Sequence, residues 1–241
     1  MNDYLTKFKN DFVGIEEIFL FAKANETEKD AIRKALTRFV DKGEIFRAGR
    51  GVYGFFCKSV YTPKLNEQTK RLSEILIENF PYLDFTITDT SFFAEFMNLQ
   101  PFATVLLIET KESAIIPIIS NFQKQNINSY AQKDYPKIER YIKSDVLILL
   151  RAYFASNPNP IKCGKVKYAS LEKILVDLVC DTDIFGQYQA SELENIYQNA
   201  IAKYAVNYSK LLKYAKARNR KSECISLLET TEEYLKVKNL L

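Results

Sequence analysis

The spacing of the apolar residues changes abruptly at Gly43, and nothing else in the chain limits its fold as tightly. Before that point Ile32, Ala35, Leu36, Phe39 and Val40 recur at helical spacing, while Asp30, Arg33, Lys34, Thr37 and Arg38 fall on the opposite face. After it the pattern alternates. Glu44 to Ala48 predicts a strand, Gly49-Arg50-Gly51 a tight tip, and Val52 to Phe56 the returning strand. Thr27 is placed to accept an orphan amide three residues on, Asp30 suits the positive end of the helix dipole, and Gly43 supplies the stop. A helix with cations on its outer face, running straight into a hairpin tipped by arginine, is the layout of a winged helix-turn-helix. Such a helix enters a major groove while the wing reaches phosphates or a minor groove. The DNA-binding set expected on that ground is Arg33, Lys34, Thr37 and Arg38 on the helix, with Arg47 and Arg50 on the wing.

Upstream, Met1 to Asn25 is predicted helical, with Gly14 separating two helices whose apolar stripes include Tyr4, Leu5 and Phe8, then Ile15, Ile18 and Phe19. Three helices and the hairpin make a head domain of residues 1–60. Within residues 1–25 the acids Asp3, Asp11, Glu16 and Glu17 nearly balance the bases, so DNA binding depends on where the arginines and lysines further on point. A head that binds no DNA and serves only as a protein-docking face is the competing reading.

Composition narrows the chemistry. The 241 residues contain no histidine, which removes Ser-His and Cys-His nucleophile pairs, imidazole acid–base catalysis and nearly every catalytic zinc site. Cys57, Cys163, Cys180 and Cys224 form no C-x-x-C pair, and reduced thiols in a cytoplasm are expected. Seven glycines, three of them at Gly49, Gly51 and Gly54, leave no P-loop and no G-x-G-x-x-G. A net charge of +4 means that any nucleic-acid surface must come from local clustering. No signal segment or apolar run of membrane length is present, so no membrane association is expected.

The stretch Cys57 to Asn66 (CKSVYTPKLN) has the composition of a connector, and residues 61–241 are expected to form a second domain. An amphipathic helix from Glu67 to Phe80 is followed by predicted strands at Asp84–Thr88, Thr104–Thr110, Asn128–Ala131 and Asp145–Leu150, with helices at Ser91–Asn98 and Ala114–Gln125 between them. Alternating strands and helices predict an α/β sheet. After a proline-broken loop and a short strand at Val166–Tyr168, helices are expected at Ser170–Val179, Gln189–Tyr204, Tyr208–Ala217 and Ser222–Leu240. The expected class is therefore α+β: a winged head, an α/β domain and a helical C-terminal tail.

Between Glu194 and Glu223 there is no acidic residue, while lysines and arginines accumulate with tyrosines interleaved. Lys210, Lys213, Tyr214, Arg218 and Lys221 are expected to form a surface for an acidic protein partner, with DNA phosphates as the alternative. The competing reading is a helix pair whose tyrosines are core and whose lysines are solvated. A second chemical possibility is a metal-dependent nuclease, since Asp84 followed by Glu109-Thr110-Lys111 has the acid-then-E-x-K order in which carboxylates hold a divalent ion and lysine steadies the attacking water.

Two segments carry a family resemblance. One is Lys42-Gly43-Glu44-Ile45 with Gly49-Arg50-Gly51-Val52-Tyr53. The other is Tyr168-Ala169-Ser170-Leu171-Glu172-Lys173-Ile174-Leu175-Val176-Asp177, similar to an S/P-x-E-R-T-L-x-D segment that opens a helix. In these the chain resembles the AbiEi-like antitoxins of type IV toxin–antitoxin systems, with Lys173 where that family often has arginine. The resemblance implies a repressor of its own operon, binding inverted repeats in double-stranded promoter DNA. It also implies that the second domain counters a nucleotidyltransferase-like toxin, without need of a stable complex. The leading expectation is thus a cytoplasmic, non-enzymatic regulator with no catalytic residue, metal or cofactor.

Overall fold

The computed structural model describes residues 6–98, 104–142, 146–154, 156–188 and 191–241. The expected apolar positions Tyr4 and Leu5, and the predicted ends at Asp145 and Gln189, lie outside these. The protein is a mixed α and β structure with two sheets, and it divides into two compact units: residues 1–61 with 197–241, and residues 62–196.

In the first unit, β1 (Phe12–Gly14) leads into α1 (Ile15–Ala22) and α2 (Glu26–Asp41), followed by the hairpin of β2 (Phe46–Gly49) and β3 (Val52–Gly54). The sheet order is β1-β3-β2, all antiparallel, with Val13 opposite Tyr53. The expected helix-Gly14-helix arrangement is corrected in part: Thr6 and Lys7 are helical and a helix follows Gly14, but Phe12 to Gly14 is extended, because Val13 pairs into the sheet and enters the core with Ile18, Leu36, Ile45, Tyr53 and Phe55. Ile32, Phe39 and Val40 pack against that core, so the apolar face of α2 is the buried one.

The start of α2 also differs from expectation. Asn25, not Thr27, is the cap: its side chain accepts from the Glu28 amide at 3.0 Å, and the Glu28 carboxylate accepts from the Asn25 amide at 2.8 Å. This reciprocal pair satisfies two orphan donors, and its loss costs about 1 kcal/mol. At the other end Gly43 takes φ +72°, its amide bonding to Val40 O at 2.9 Å and that of Glu44 to Phe39 O at 3.0 Å, the Schellman closure that glycine permits.

The second unit opens with α3 (Glu67–Asn79) and builds one six-stranded sheet from β4 (Phe85–Asp89), β5 (Thr104–Thr110), β6 (Tyr130–Ala131), β7 (Val146–Ala152), β8 (Ile161–Cys163) and β9 (Val166–Tyr168), in the order β6-β7-β5-β4-β9-β8. Its centre is the parallel pair β5–β7, in register from Thr104 opposite Val146 to Thr110 opposite Ala152. The uninterrupted apolar runs of these strands fit burial on both faces. Helix α4 (Glu112–Lys124) links β5 to β6, and α5 (Leu171–Cys180) follows β9. The expected Ser91–Asn98 helix is two short 3-10 turns, Thr90–Phe92 and Ala94–Phe96.

Helix α6 (Ser191–Lys203) carries the chain out of the second unit. Then α7 (Tyr208–Ala217), α8 (Lys221–Leu228) and α9 (Glu232–Val237) follow; the expected single helix from Ser222 to Leu240 is broken where the Thr231 hydroxyl caps α9. The assignment of everything after residue 60 to one domain is also corrected, since residues 197–241 belong with the head. The physical reason is the edge of its sheet. The Arg47 carbonyl of the edge strand β2 receives the Asn207 side-chain amide at 3.1 Å, and the amide of Arg50, in the turn after it, donates to Ser209 Oγ at 2.9 Å. The Ala205 amide bonds to Ser59 O at 2.9 Å, and the buried rings of Tyr61 and Tyr204 meet edge-to-face at 5.3 Å. Lys58 donates to Ile201 O and to Glu233, which also accepts from Tyr208 Oη at 2.9 Å.

Candidate nucleic-acid interface

The outer face of α2 carries the expected cations. Lys34, Thr37 and Arg38 are exposed, spaced so that 34, 37 and 38 share one side of the helix. Arg33 is partly engaged: its guanidinium bonds Asp30 at 2.7 Å and lies 5.0 Å from the Phe19 ring centroid, leaving the side chain 50% exposed. The Thr37 hydroxyl donates to Arg33 O at 3.0 Å, its own preceding turn. In the hairpin Arg47 is exposed and its Nε donates to Gly49 O at 3.3 Å, while the exposed Arg50 is fixed by its main chain. A bulge at Ala48 turns the strand, keeping Phe46 and Ala48 buried and Arg47 outside.

The expected partner surface is only partly a surface. Lys210, Lys213 and Lys221 are exposed, but Tyr214 is fully buried in the packing of α7, and Arg218 is half-buried with its guanidinium donating to Tyr214 Oη at 3.0 Å. Tyr214 is therefore corrected from a contact to a core residue: it sits on the same helix face as Tyr208, Leu211 and Ala215, all buried.

The residues of the nuclease hypothesis lie in the second unit, in a different arrangement from the one it needs. Glu109 is fully buried, with one carboxylate oxygen 3.0 Å from Arg151 Nε and the other 2.8 Å from Lys173 Nζ. Asp84 is exposed and bonds Lys167 at 2.6 Å, and Lys111 is an exposed residue preceding α4. No group of three or more metal-ligating side chains occurs among the described residues.

What the sequence reading missed is the charge cluster around Glu109. Arg151, Glu109, Thr86 and Lys167 stand opposite one another on neighbouring strands, forming one row across β7, β5, β4 and β9. Helix α5 sets Lys173 and Asp177 on this row, and the turn after it adds Asp181; Arg151 reaches Asp177 at 3.0 Å and Asp181 at 2.6 Å. Lys173 also pairs with Asp177, one turn away. Burial by itself lowers the tendency of Arg151 to hold its proton, but the charges of Asp177, Glu109 and Asp181 outweigh it and keep the guanidinium charged. The available signal was a charged residue closing each of two apolar strands, E-T after TVLLI and R after DVLILL, and the K-x-x-x-D spacing of Lys173 and Asp177. A cavity of about 280 Å³ beside the cluster is lined by Asp84, Thr86, Tyr153, Lys167 and Lys173.

Residues 31–234 match a family of unknown function, DUF6577. The chain belongs to that family. The DUF6577 match begins inside α2, takes in the whole second unit and ends in α9, so it covers both the hairpin and the charge cluster. No curated protein matches the chain. Among the described residues no helix is long and apolar enough to cross a membrane.

Proposed function

We propose that this protein is a winged-helix DNA-binding regulator, and that it acts as an antitoxin of the type IV kind. The observation that carries the DNA reading is the order strand, helix, helix, hairpin, closed as a β1-β3-β2 sheet, with Lys34, Thr37 and Arg38 on the outer face of α2 and Arg50 at the tip of the hairpin. This order matches the winged-helix layout, in which α2 is the recognition helix and the hairpin is the wing. Arg33 joins the set by exchanging Asp30 for a phosphate, an exchange that an exposed ion pair allows at little cost.

The antitoxin part draws on the resemblance at Tyr168–Asp177. Lys173 and Asp177 from that segment are buried in the charge cluster, so the segment contributes by fixing α5 to the sheet rather than by touching a partner. A nucleotidyltransferase-like toxin is the partner class this reading implies, with or without a stable complex. It implies no catalytic residue, metal or cofactor in this chain.

The test of the DNA reading is fluorescence anisotropy of the purified full chain with duplex DNA from upstream of its own gene. Binding tighter than to an unrelated duplex, weakening steeply with salt, is expected; equal and salt-independent binding would refute it. The antitoxin reading is tested by co-expression with an adjacent nucleotidyltransferase-like gene, where the protein restores growth.

A further inference from the structure

The tail helix α7 begins against the hairpin. Its Ser209 hydroxyl accepts the Arg50 amide at 2.9 Å, and a Cβ at Gly49 would stand only 2.8 Å from that same oxygen. Ser209, Lys213 and Lys216 follow at i, i+4 and i+7, which places them on one side of the helix. The rise of an α-helix sets Lys213 about 6 Å and Lys216 about 10 Å along the axis from Ser209. The opposite side, Tyr208, Leu211, Tyr214 and Ala215, is buried. Lys213 and Lys216 are exposed, and no carboxylate among the described residues pairs with either. The nearest acid in sequence beyond the helix, Glu223, is already held by Arg220 at 3.0 Å.

We infer that the Lys213–Lys216 side of α7 continues the DNA surface of the hairpin, its ammonium groups neutralising phosphates that flank the site read by α2. This rests on the DNA-binding reading above. Two observations favour DNA over an acidic protein partner. The stripe starts at the hairpin tip that carries Arg50. In addition, the tyrosines that would anchor a protein interface, Tyr208 and Tyr214, are in the core, leaving lysine, a residue that protein interfaces disfavour and phosphate contacts accept. The tail thus extends the hairpin's surface as well as covering the edge of its sheet.

The experiment measures the salt dependence of duplex binding for the full chain, for Lys213→Gln/Lys216→Gln, for Arg38→Ala, and for Lys124→Gln/Lys137→Gln, a pair in the second unit with the same loss of charge. Each lost phosphate contact lowers the log–log salt slope by about 0.9, so the tail variant loses up to about 1.8, roughly a tenfold change in the affinity ratio between 50 and 200 mM salt. The second-unit pair leaves the slope unchanged. Circular dichroism reports that the exposed substitutions preserve the fold. If Arg38→Ala weakens binding while Lys213→Gln/Lys216→Gln does not, or matches the second-unit pair, the tail assignment fails and the DNA reading stands. If the unsubstituted chain binds no duplex, both fail.

Discussion

The main-chain amide of Arg50 donates to the hydroxyl oxygen of Ser209 at 2.9 Å, joining positions 159 residues apart. A hairpin as short as β2–β3 offers little to hold its own tip, and its outer strand would otherwise leave ladder groups open. The tail supplies the partners. Gly49 makes room for it, since any Cβ there would come within 2.2 Å of Leu241 Cδ2 and 2.8 Å of Ser209 Oγ. The Leu241 side chain is 42% exposed and can swing aside, whereas Ser209 is fixed on a helix. Gly49→Val is therefore expected to displace α7 and to destabilise the first unit by about 1–3 kcal/mol. Ser209→Ala, which removes only the acceptor from an exposed amide, costs about 1 kcal/mol or less. Urea unfolding compares the two; an unchanged midpoint for Gly49→Val would show that the tail does not pack on the hairpin in solution.

The cations of α2 are not equivalent, and binding should reflect that. Lys34 and Arg38 are exposed, whereas Arg33 first gives up Asp30 and its place over Phe19. Arg38→Ala is expected to lower the salt slope by about 0.9 with no loss of stability. Arg33→Ala should weaken DNA binding no more than that, while also costing the helix a few tenths of a kcal/mol from the lost i,i+3 pair. Arg50→Ala separates base from phosphate contact: about 1–3 kcal/mol and relaxed sequence preference in the first case, a smaller uniform loss in the second. Operator affinity untouched by all three substitutions would rule out α2 and the hairpin as the DNA surface.

Local pattern made much of the first unit legible. The period of Ile32, Leu36, Phe39 and Val40 gave α2 its buried face, and Gly43 its end, because those signals belong to neighbouring residues. What could not be read was pairing at a distance. Phe12 to Gly14 has too few residues to show a strand period, and only β3, some 40 residues on, makes it one. The tail's place with the head depends on edge groups of β2 that have no sequence signature. In the second unit Thr104–Thr110 was evident from its apolar run, yet Glu109 looked like a candidate ligand. Its partners Arg151 and Lys173 come from β7 and α5, and only the sheet register brings them to it.

That register makes Glu109 a structural carboxylate with a large expected effect. It meets Arg151 and Lys173 with its two oxygens in full burial. Glu109→Gln keeps the shape but removes the charge that both cations face, and breaking a buried pair in this way costs about 3–5 kcal/mol. Thermal unfolding of the second unit should fall accordingly. Under the nuclease hypothesis the same substitution would instead abolish Mg²⁺- or Mn²⁺-dependent cleavage while leaving stability little changed. The purified chain is expected to cut neither DNA nor RNA, and cleavage lost specifically in Glu109→Gln would overturn the structural assignment.

Tyr153 lies two residues beyond Arg151, just past the end of β7, its hydroxyl 3.4 Å from Thr86 Oγ1 and 3.5 Å from Asp84 Oδ1. Burial pushes its phenol up to about 12; the Thr86 hydroxyl opposes the shift, and the charges of Asp84 and Glu109 add to it. Since the folded value lies above the ordinary 10.0, the unfolded chain releases this proton first as pH rises. The stability contributed by the neutral phenol is fully present below pH 10 and is lost as pH climbs from 10 towards 12. Tyr153→Phe removes that proton from the balance. Urea midpoints measured between pH 9 and pH 12 should therefore fall less steeply for Tyr153→Phe than for the unsubstituted chain, by the slope of one proton. Parallel curves would mean that the Tyr153 hydroxyl is as solvated in the folded protein as in the unfolded chain.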